Sequence, residues 1–180
     1  MVIRLKYLYS LQVNIPTIQF PTLIGESTPS YLLYGETVAR RIHQVFPNVR
    51  LIVMLRDPVA RAYSHYCMTS DVVGTSAQLS QRTAVSGKSF AQVVREDLAL
   101  LTARNVTSTN SADCFQEYAD DLPTSHGCHA YIGRGLYALQ LELYLRVFSR
   151  EQIHVIDLDE MKSPEGIQVI LIYCKDDCFY

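Results

Sequence analysis

The chain has 180 residues, of which 48% are hydrophobic and 19% are charged, a composition that indicates one globular domain and excludes a disordered chain. The net charge of −2 gives no general argument for binding nucleic acid or an anionic membrane surface. No apolar run predicts a transmembrane helix, because residues 167–173 are too few and Pro16 and Pro21 interrupt the N-terminal region.

The N-terminal quarter of the chain predicts one strand and one helix. Residues 1–22 show no clear hydrophobic period, and we assign no element to them. A short strand is predicted over residues 22–26. The helix that follows carries Val38, Ile42 and Val45 on one apolar face, which we expect to be buried.

The next segment has the most informative pattern in the chain. Residues 51–55 are five consecutive apolar residues, which predict a strand buried on both faces, as in a parallel sheet. Arg56 follows the strand, Asp57 can cap a helix, and Pro58 suits the first helical position because its missing N–H costs nothing there. Ligands bind at the carboxyl ends of parallel strands, and helix N-termini favour anions. With Ser64 two helical turns further on, the turn predicts an anion site.

Two segments follow in the middle of the chain. Residues 89–103 predict a helix with four apolar residues that we expect to be buried. These are Phe90, Val94, Leu98 and Leu101. Residues 105–129 lack periodicity and predict a surface insertion.

The C-terminal third predicts a helix, a strand and a last helix. Residues 134–148 are strongly helical, and one stripe of that helix carries Tyr137, Leu141, Tyr144 and Phe148. Residues 152–158 predict a second strand parallel to residues 51–55, and Ser163 with Pro164 opens the final helix. This alternation predicts an α/β fold, a parallel sheet with flanking helices.

The run Arg-Asp-Pro-x-x-Arg-x-x-Ser from Arg56 to Ser64 closely resembles the 3′-phosphate-binding motif of sulfotransferases. These enzymes use 3′-phosphoadenosine 5′-phosphosulfate (PAPS), and the Golgi carbohydrate and heparan sulfate sulfotransferases are the most similar. The resemblance implies that Arg56 and Ser64 hold the 3′-phosphate. It also implies a P-loop-NTPase-like sulfotransferase fold, PAPS as co-substrate without a metal, a carbohydrate or glycosaminoglycan-like acceptor, and the Golgi lumen.

Two further segments resemble the same family. Residues 25–31 resemble its Glu-containing Thr-Pro-x-Tyr motif, in which the glutamate is the general base, and this implies that role for Glu26. Ser27 stands where several heparan sulfate enzymes have lysine, which weakens the heparan-specific interpretation. The segment with Arg134 and Tyr137 resembles a helix that lines the cofactor cleft, although a core role for Tyr137 is equally consistent with its apolar stripe.

The family's lysine-containing phosphosulfate loop has no counterpart here, since Lys6 is followed by Tyr7 and no glycine precedes Gly25. Its C-terminal basic glycine loop has none either. We therefore expect residues 23–180 to be a partial, incomplete sulfotransferase domain that alone transfers little sulfate. The alternative is an inactive module that binds 3′-phosphoadenosine 5′-phosphate (PAP). A nucleotide kinase is disfavoured because the chain has no kinase-type phosphate loop.

The predicted insertion also contains candidate modification sites. Asn105 begins an N-glycosylation sequon, which is used only in a secretory compartment. Cys114 and Cys128 are able to close a loop by a disulfide. A zinc site formed by these cysteines with His126 and His129 is disfavoured, because Cys128 and His129 are adjacent.

Overall fold

The computed structural model describes residues 2–5, 24–74, 76, 79, 85, 87–106, 111–122 and 130–175. The strands are β1 (Val2–Leu5), β2 (Ile24–Ser27), β3 (Arg50–Leu55) and β4 (Ile153–Asp157). The helices are α1 (Gly35–Val45), α2 (Pro58–Ser70), α3 (Phe90–Ala103), α4 (Ala112–Asp121), α5 (Tyr137–Leu145), α6 (Leu158–Met161) and α7 (Pro164–Lys175). Two 3-10 turns are Gly133–Gly135 and Arg150–Gln152.

The four strands form one sheet in the order β2-β1-β3-β4. The α/β class with flanking helices is confirmed, and β3 and β4 are parallel as predicted. β1 lies in the segment to which we assigned no element, and its antiparallel pairing with β2 and β3 makes the sheet mixed rather than wholly parallel. Because β2 and β3 are both antiparallel to β1, their carboxyl ends point to the same edge of the sheet.

The predicted buried strand and its turn are present in the structure. Leu51, Ile52 and Val53 of β3 are buried, as expected for a strand covered on both faces. Asp57 caps α2, since its Oδ1 accepts a hydrogen bond of 2.6 Å from the backbone N of Ala60. The strand–turn–helix unit therefore forms as the sequence indicates.

The predicted apolar face of α1 is only partly buried, since Ile42 packs against a core cluster and Val45 does not. Val45 is 66% exposed, whereas Gly35 and Ala39 are buried. A Cβ at Gly35 would lie 2.6 Å from Leu143 Cδ1 of α5, so the small residues of α1 allow the close approach of the two helices. Close helix packing, rather than apolar character alone, decides which face of α1 is buried.

The stripe predicted for α3 is also displaced. The buried residues are Val93, Asp97 and Leu101, while Leu98 is 45% exposed. Asp97 is buried between two apolar residues because its carboxylate accepts hydrogen bonds from buried polar groups. Ser89 caps this helix in a capping box with Gln92.

The prediction of a surface insertion over residues 105–129 is wrong for its central part. Helix α4 lies there and contributes Phe115 and Tyr118 to the main core cluster, together with Leu33 and Leu143. Those two aromatic residues are buried because α4 packs against α5. The spacing of Ala112, Phe115, Tyr118 and Ala119 is helical, so this period was present in the sequence and was overlooked.

The candidate modification sites of that segment are only partly described. Asn105 is exposed just after α3, at a backbone φ of 56°. Cys114 is half-buried on α4. His126, Cys128 and His129 lie outside the described residues, so the disulfide and the zinc alternative have no structural test here.

Helix α5 lies between two hydrophobic clusters. It begins at Tyr137, three residues later than predicted, because Gly133–Gly135 form a 3-10 turn. Tyr144 and Phe148 of the predicted stripe are buried against β3 and α1. The opposite face of α5 packs against α4 through Leu143. None of the helices in the described part of the chain has the length and apolar composition needed to span a membrane.

Because two buried tyrosines have raised pKa values, we expect the free energy of unfolding to fall at alkaline pH. Tyr144 donates a hydrogen bond of 2.9 Å from Oη to the carbonyl of Tyr31, and burial raises its pKa. Burial also raises the pKa of Tyr131, whose hydroxyl pairs with Thr69 Oγ1 at 2.7 Å. The folded state therefore holds these two protons more tightly than the unfolded chain, in which tyrosine has a pKa of about 10. Their contribution is fully present below about pH 10 and is lost as the pH rises above it.

Urea unfolding at pH 8 and at higher pH tests this expectation. The free energy of unfolding should fall above about pH 10. The Tyr144→Phe variant should be less stable by about 1 kcal/mol at pH 8, and its stability should depend less on pH. An equal alkaline slope in both proteins would contradict a role for Tyr144.

Candidate active site

The first part of the candidate site is the turn at the carboxyl end of β3. Arg56 is exposed immediately after the strand, and its backbone carbonyl accepts a hydrogen bond of 3.0 Å from Tyr137 Oη. Ser64 is exposed on α2, six residues after Pro58, or about 9 Å along the helix axis at 1.5 Å per residue. The turn thus presents a guanidinium and a hydroxyl outside the core, with its backbone held from α5.

The second part is the turn at the carboxyl end of β2. Glu26 is half-buried in this strand, and its Oε1 accepts a hydrogen bond of 2.5 Å from Thr28 Oγ1. This contact holds the carboxylate towards the turn that contains Ser30. β2 and β3 point in the same direction, but the register through Ile3 puts Glu26 level with Leu51, five residues before Arg56. It is the chain after Ser27 that continues towards the carboxyl end of β3.

Residues 132–137, called the connecting segment below, contact both strand-end turns. Arg134 donates a hydrogen bond of 3.2 Å from Nη2 to Ser30 Oγ after β2. Three residues later, Tyr137 donates to the carbonyl of Arg56 after β3. Gly135 lies against the start of α2, where an added Cβ would be 3.0 Å from Pro58 Cβ. The structure therefore brings Arg134 and Tyr137 to the turns that follow Glu26 and Arg56.

Several buried groups fix this connecting segment. Asp97 of α3 accepts hydrogen bonds from the backbone N of Ile132 at 2.5 Å and of Gly133 at 3.1 Å. Gln140 donates from Nε2 to the carbonyl of Gly133 at 2.7 Å. Gly133 has no space for a side chain, since a Cβ would lie 2.5 Å from Tyr118 Oη. The segment is held from three helices at once.

Charged groups of both signs lie near this end of the sheet, where Asp57 follows Arg56 and Asp157 ends β4. Arg61, on the buried side of α2, donates to the carbonyl of Tyr131. Burial lowers the pKa of the Arg61 guanidinium, and the nearby charge of Arg134 lowers it further. The pKa of Asp159 after β4 is also lowered, first by its hydrogen bond with Lys162 and, to a smaller degree, by the charge of Arg56. An anionic ligand at this edge would meet several cations.

This arrangement is suited to the transfer of an anionic group. Guanidinium groups bind phosphates by charge-assisted hydrogen bonds, and a carboxylate at a strand end can take a proton from an acceptor. Two contributors were not found from the sequence: Ser30 as a partner of Arg134, and Asp97 as the anchor of the connecting segment. The sequence does contain an indication for Asp97, because it lies four residues from Val93 and four from Leu101 and thus on the same face of the helix.

The Gly-Lys-Ser run at residues 87–89 is not part of this arrangement in the structure. Ser89 Oγ accepts a hydrogen bond of 3.4 Å from Gln92 N, within the capping box at the start of α3. Lys88 forms an ion pair of 2.8 Å with Glu96 of the same helix. The run is therefore used as a helix cap, and it gives no support to the kinase alternative.

Comparison with known proteins identifies relatives of the chain. Residues 8–118, more than half of the chain, match the family model described as "Sulfotransferase family". The membrane-associated sulfotransferase kil1 of Dictyostelium discoideum is 26% identical over 194 aligned residues, which cover 81% of this chain and 41% of that protein. Human carbohydrate sulfotransferase 15 is 28% identical over 122 residues, covering 68% of this chain and 19% of that protein.

A shorter match of higher identity is found to human heparan sulfate glucosamine 3-O-sulfotransferase 6. It is 50% identical over 44 residues, which are 24% of this chain and 13% of that protein. The chain thus spans less than half the length of each of these relatives.

Proposed function

Because the chain belongs to the sulfotransferase family, we propose that it transfers a sulfuryl group from PAPS to a hydroxyl or amine of a carbohydrate acceptor. The observation that carries the proposal is the connecting segment, which links the turn after Glu26 to the turn after Arg56. The turn that follows the proposed base is thereby joined to the turn that carries the proposed phosphate-binding arginine. Such transfer depends mainly on positioning and on electrostatic stabilisation.

In this proposal each residue has a separate task. PAPS supplies the sulfuryl group and leaves as PAP. Arg56 and Ser64 hold the 3′-phosphate by charge-assisted and neutral hydrogen bonds. Glu26 takes the proton from the attacking oxygen or nitrogen of the acceptor, with Thr28 orienting its carboxylate. Arg134 and Tyr137 line the cofactor cleft, and Tyr137 also fixes the backbone of Arg56. The transfer needs no metal.

The acceptor and the compartment are inferred from the relatives. Two of them are named for carbohydrate and heparan sulfate glucosamine sulfation, which supports a sugar or a glycosaminoglycan-like chain as the acceptor. We infer the Golgi lumen as the compartment from the resemblance to the Golgi carbohydrate sulfotransferases. The basic groups near the sheet edge suit an acceptor that already carries negative charge.

A second candidate function is binding of PAP without transfer. The observation in its favour is that Lys6, the lysine that precedes β2, is followed by Tyr7 rather than by the serine or threonine of the family's phosphosulfate loop. That loop supplies backbone N–H groups and a lysine to the transferring group. Binding of the 3′-phosphate and transfer are therefore separable activities, because this loop acts on the transferring group and not on the 3′-phosphate.

A paired assay distinguishes the two functions. The chain is incubated with radiolabelled PAPS and a mixture of glycan acceptors, and PAP binding is measured by calorimetry in parallel. Binding accompanied by labelled glycan supports the transferase. Binding without labelled glycan supports the second function. Absence of both results contradicts the proposed nucleotide site.

A further inference from the structure

Asp97 is a buried carboxylate with a complete set of partners. It is 5% exposed in α3, where the buried residues one turn away on each side are Val93 and Leu101. A buried charge is costly unless polar groups compensate it. Its Oδ1 accepts a hydrogen bond of 2.6 Å from Tyr118 Oη, and its Oδ2 accepts the N–H groups of Ile132 and Gly133. Both oxygens are therefore used for contacts between distant parts of the chain.

The Oδ2 contacts act on an unusual piece of backbone. Two consecutive N–H groups at the start of the 3-10 turn are bound by a residue 35 positions earlier, in the way that a helix cap binds them locally. Ala130, just before the turn, has a φ of 40°, which is unfavourable for a residue with a side chain. Such a conformation persists only when the surrounding structure holds it.

The turn that Asp97 binds is the first part of the connecting segment. Arg134 follows Gly133 directly and contacts Ser30 after β2. Tyr137 contacts the carbonyl of Arg56 after β3. A shift of this turn would therefore move Arg134 and loosen the support of Arg56 together.

We propose that Asp97 is a positioning residue for the nucleotide site: its carboxylate fixes the turn at Ile132 and Gly133 and thereby sets Arg134 and the backbone of Arg56. The expected effect of Asp97 on PAP affinity rests on the proposed function. Asp97 is buried and its carboxylate binds Tyr118, Ile132 and Gly133, so it acts through these other residues. Displacements of about 1 Å at such a site weaken function by up to a hundredfold.

Asparagine provides a conservative variant at this position. Its amide oxygen can accept the two backbone N–H groups, and its amide nitrogen can donate to the oxygen of Tyr118. Alanine removes both sets of contacts. Tyr118→Phe is the matched control, because it removes the Oδ1 partner of Asp97 and leaves the two backbone contacts intact.

The experiment measures PAP affinity by calorimetry and backbone amide shifts by NMR for the 180-residue chain and these three variants. Asp97→Ala should weaken PAP binding by about tenfold or more, whereas Asp97→Asn and Tyr118→Phe should stay within about twofold of the parent. Without nucleotide, the amide signals of Ser30 and Arg56 should move in Asp97→Ala and remain in place in Tyr118→Phe. If the alanine variant does not fold, Asp97→Ser replaces it.

The two readouts separate this inference from the proposed function. If the parent chain does not bind PAP, the proposed function fails, and the amide shifts still decide whether Asp97 sets the two strand-end turns. If the Ser30 and Arg56 signals are unchanged in Asp97→Ala, the positioning role is overturned. Equal PAP affinity in the parent and in Asp97→Ala would overturn it as well.

Discussion

Replacing Arg56 with alanine is expected to weaken the binding of PAP by about tenfold to a hundredfold. A charge-assisted hydrogen bond contributes about 1.5–3 kcal/mol, which corresponds to this range of dissociation constants. The substitution removes the guanidinium but keeps the backbone carbonyl that Tyr137 binds, so the turn after β3 should remain in place. Calorimetric titration of the parent and the variant with PAP measures the change directly.

Arg41→Ala provides the control for this substitution. Arg41 is an exposed arginine of α1, and its removal changes the net charge of the chain by the same amount. Its PAP affinity should equal that of the parent chain. Ser64→Ala should show a smaller loss than Arg56→Ala, because a neutral hydroxyl makes a weaker hydrogen bond to phosphate. Unchanged affinity in Arg56→Ala would remove this residue from the proposed phosphate site.

In a version of the chain that carries a phosphosulfate loop, replacing Glu26 with glutamine is expected to reduce sulfuryl transfer by about a hundredfold to ten-thousandfold, the usual contribution of a general base. Glutamine keeps the shape of the side chain and can still accept the hydrogen bond from Thr28 Oγ1. It cannot take a proton from the acceptor. The rate of label transfer from PAPS to glycan should therefore fall while the affinity for PAP stays constant.

The control is Glu117→Gln, the same change at an exposed position of α4. It should transfer sulfate at the rate of the parent. A parallel loss of PAP affinity in Glu26→Gln would indicate a damaged site rather than a missing base. Full transfer by Glu26→Gln would exclude Glu26 as the base.

The local elements of the fold were predictable where the sequence pattern was strong. The apolar residues from Leu51 to Val53 gave a buried strand, and Asp57 with Pro58 gave the start of α2. The strand β4 and the opening of α7 at Pro164 were also predicted correctly. These features depend on neighbouring residues, through burial on both strand faces and capping of a helix end, and such terms can be read from sequence.

The errors occurred where burial depends on a distant partner. The burial of Gly35 and Ala39 in α1 depends on the close approach of α5. The burial of Phe115 in α4 depends on the packing of α4 against α5. The apolar pattern of either helix alone does not contain this information. The pairing of β1 between β2 and β3 is likewise a long-range choice, since both partner strands lie far along the chain from β1.

The same division applies to the candidate site. The sequence by itself determined the residue types of the candidate site: Glu26 at the end of one strand, Arg56 and Ser64 after another, and Arg134 and Tyr137 in a third segment. The tertiary structure decided how these turns are joined, because the contacts Arg134–Ser30 and Tyr137–Arg56 span 104 and 81 residues. It also decided that Asp97 faces inward, since a buried carboxylate is stable only where distant N–H and O–H groups converge on it.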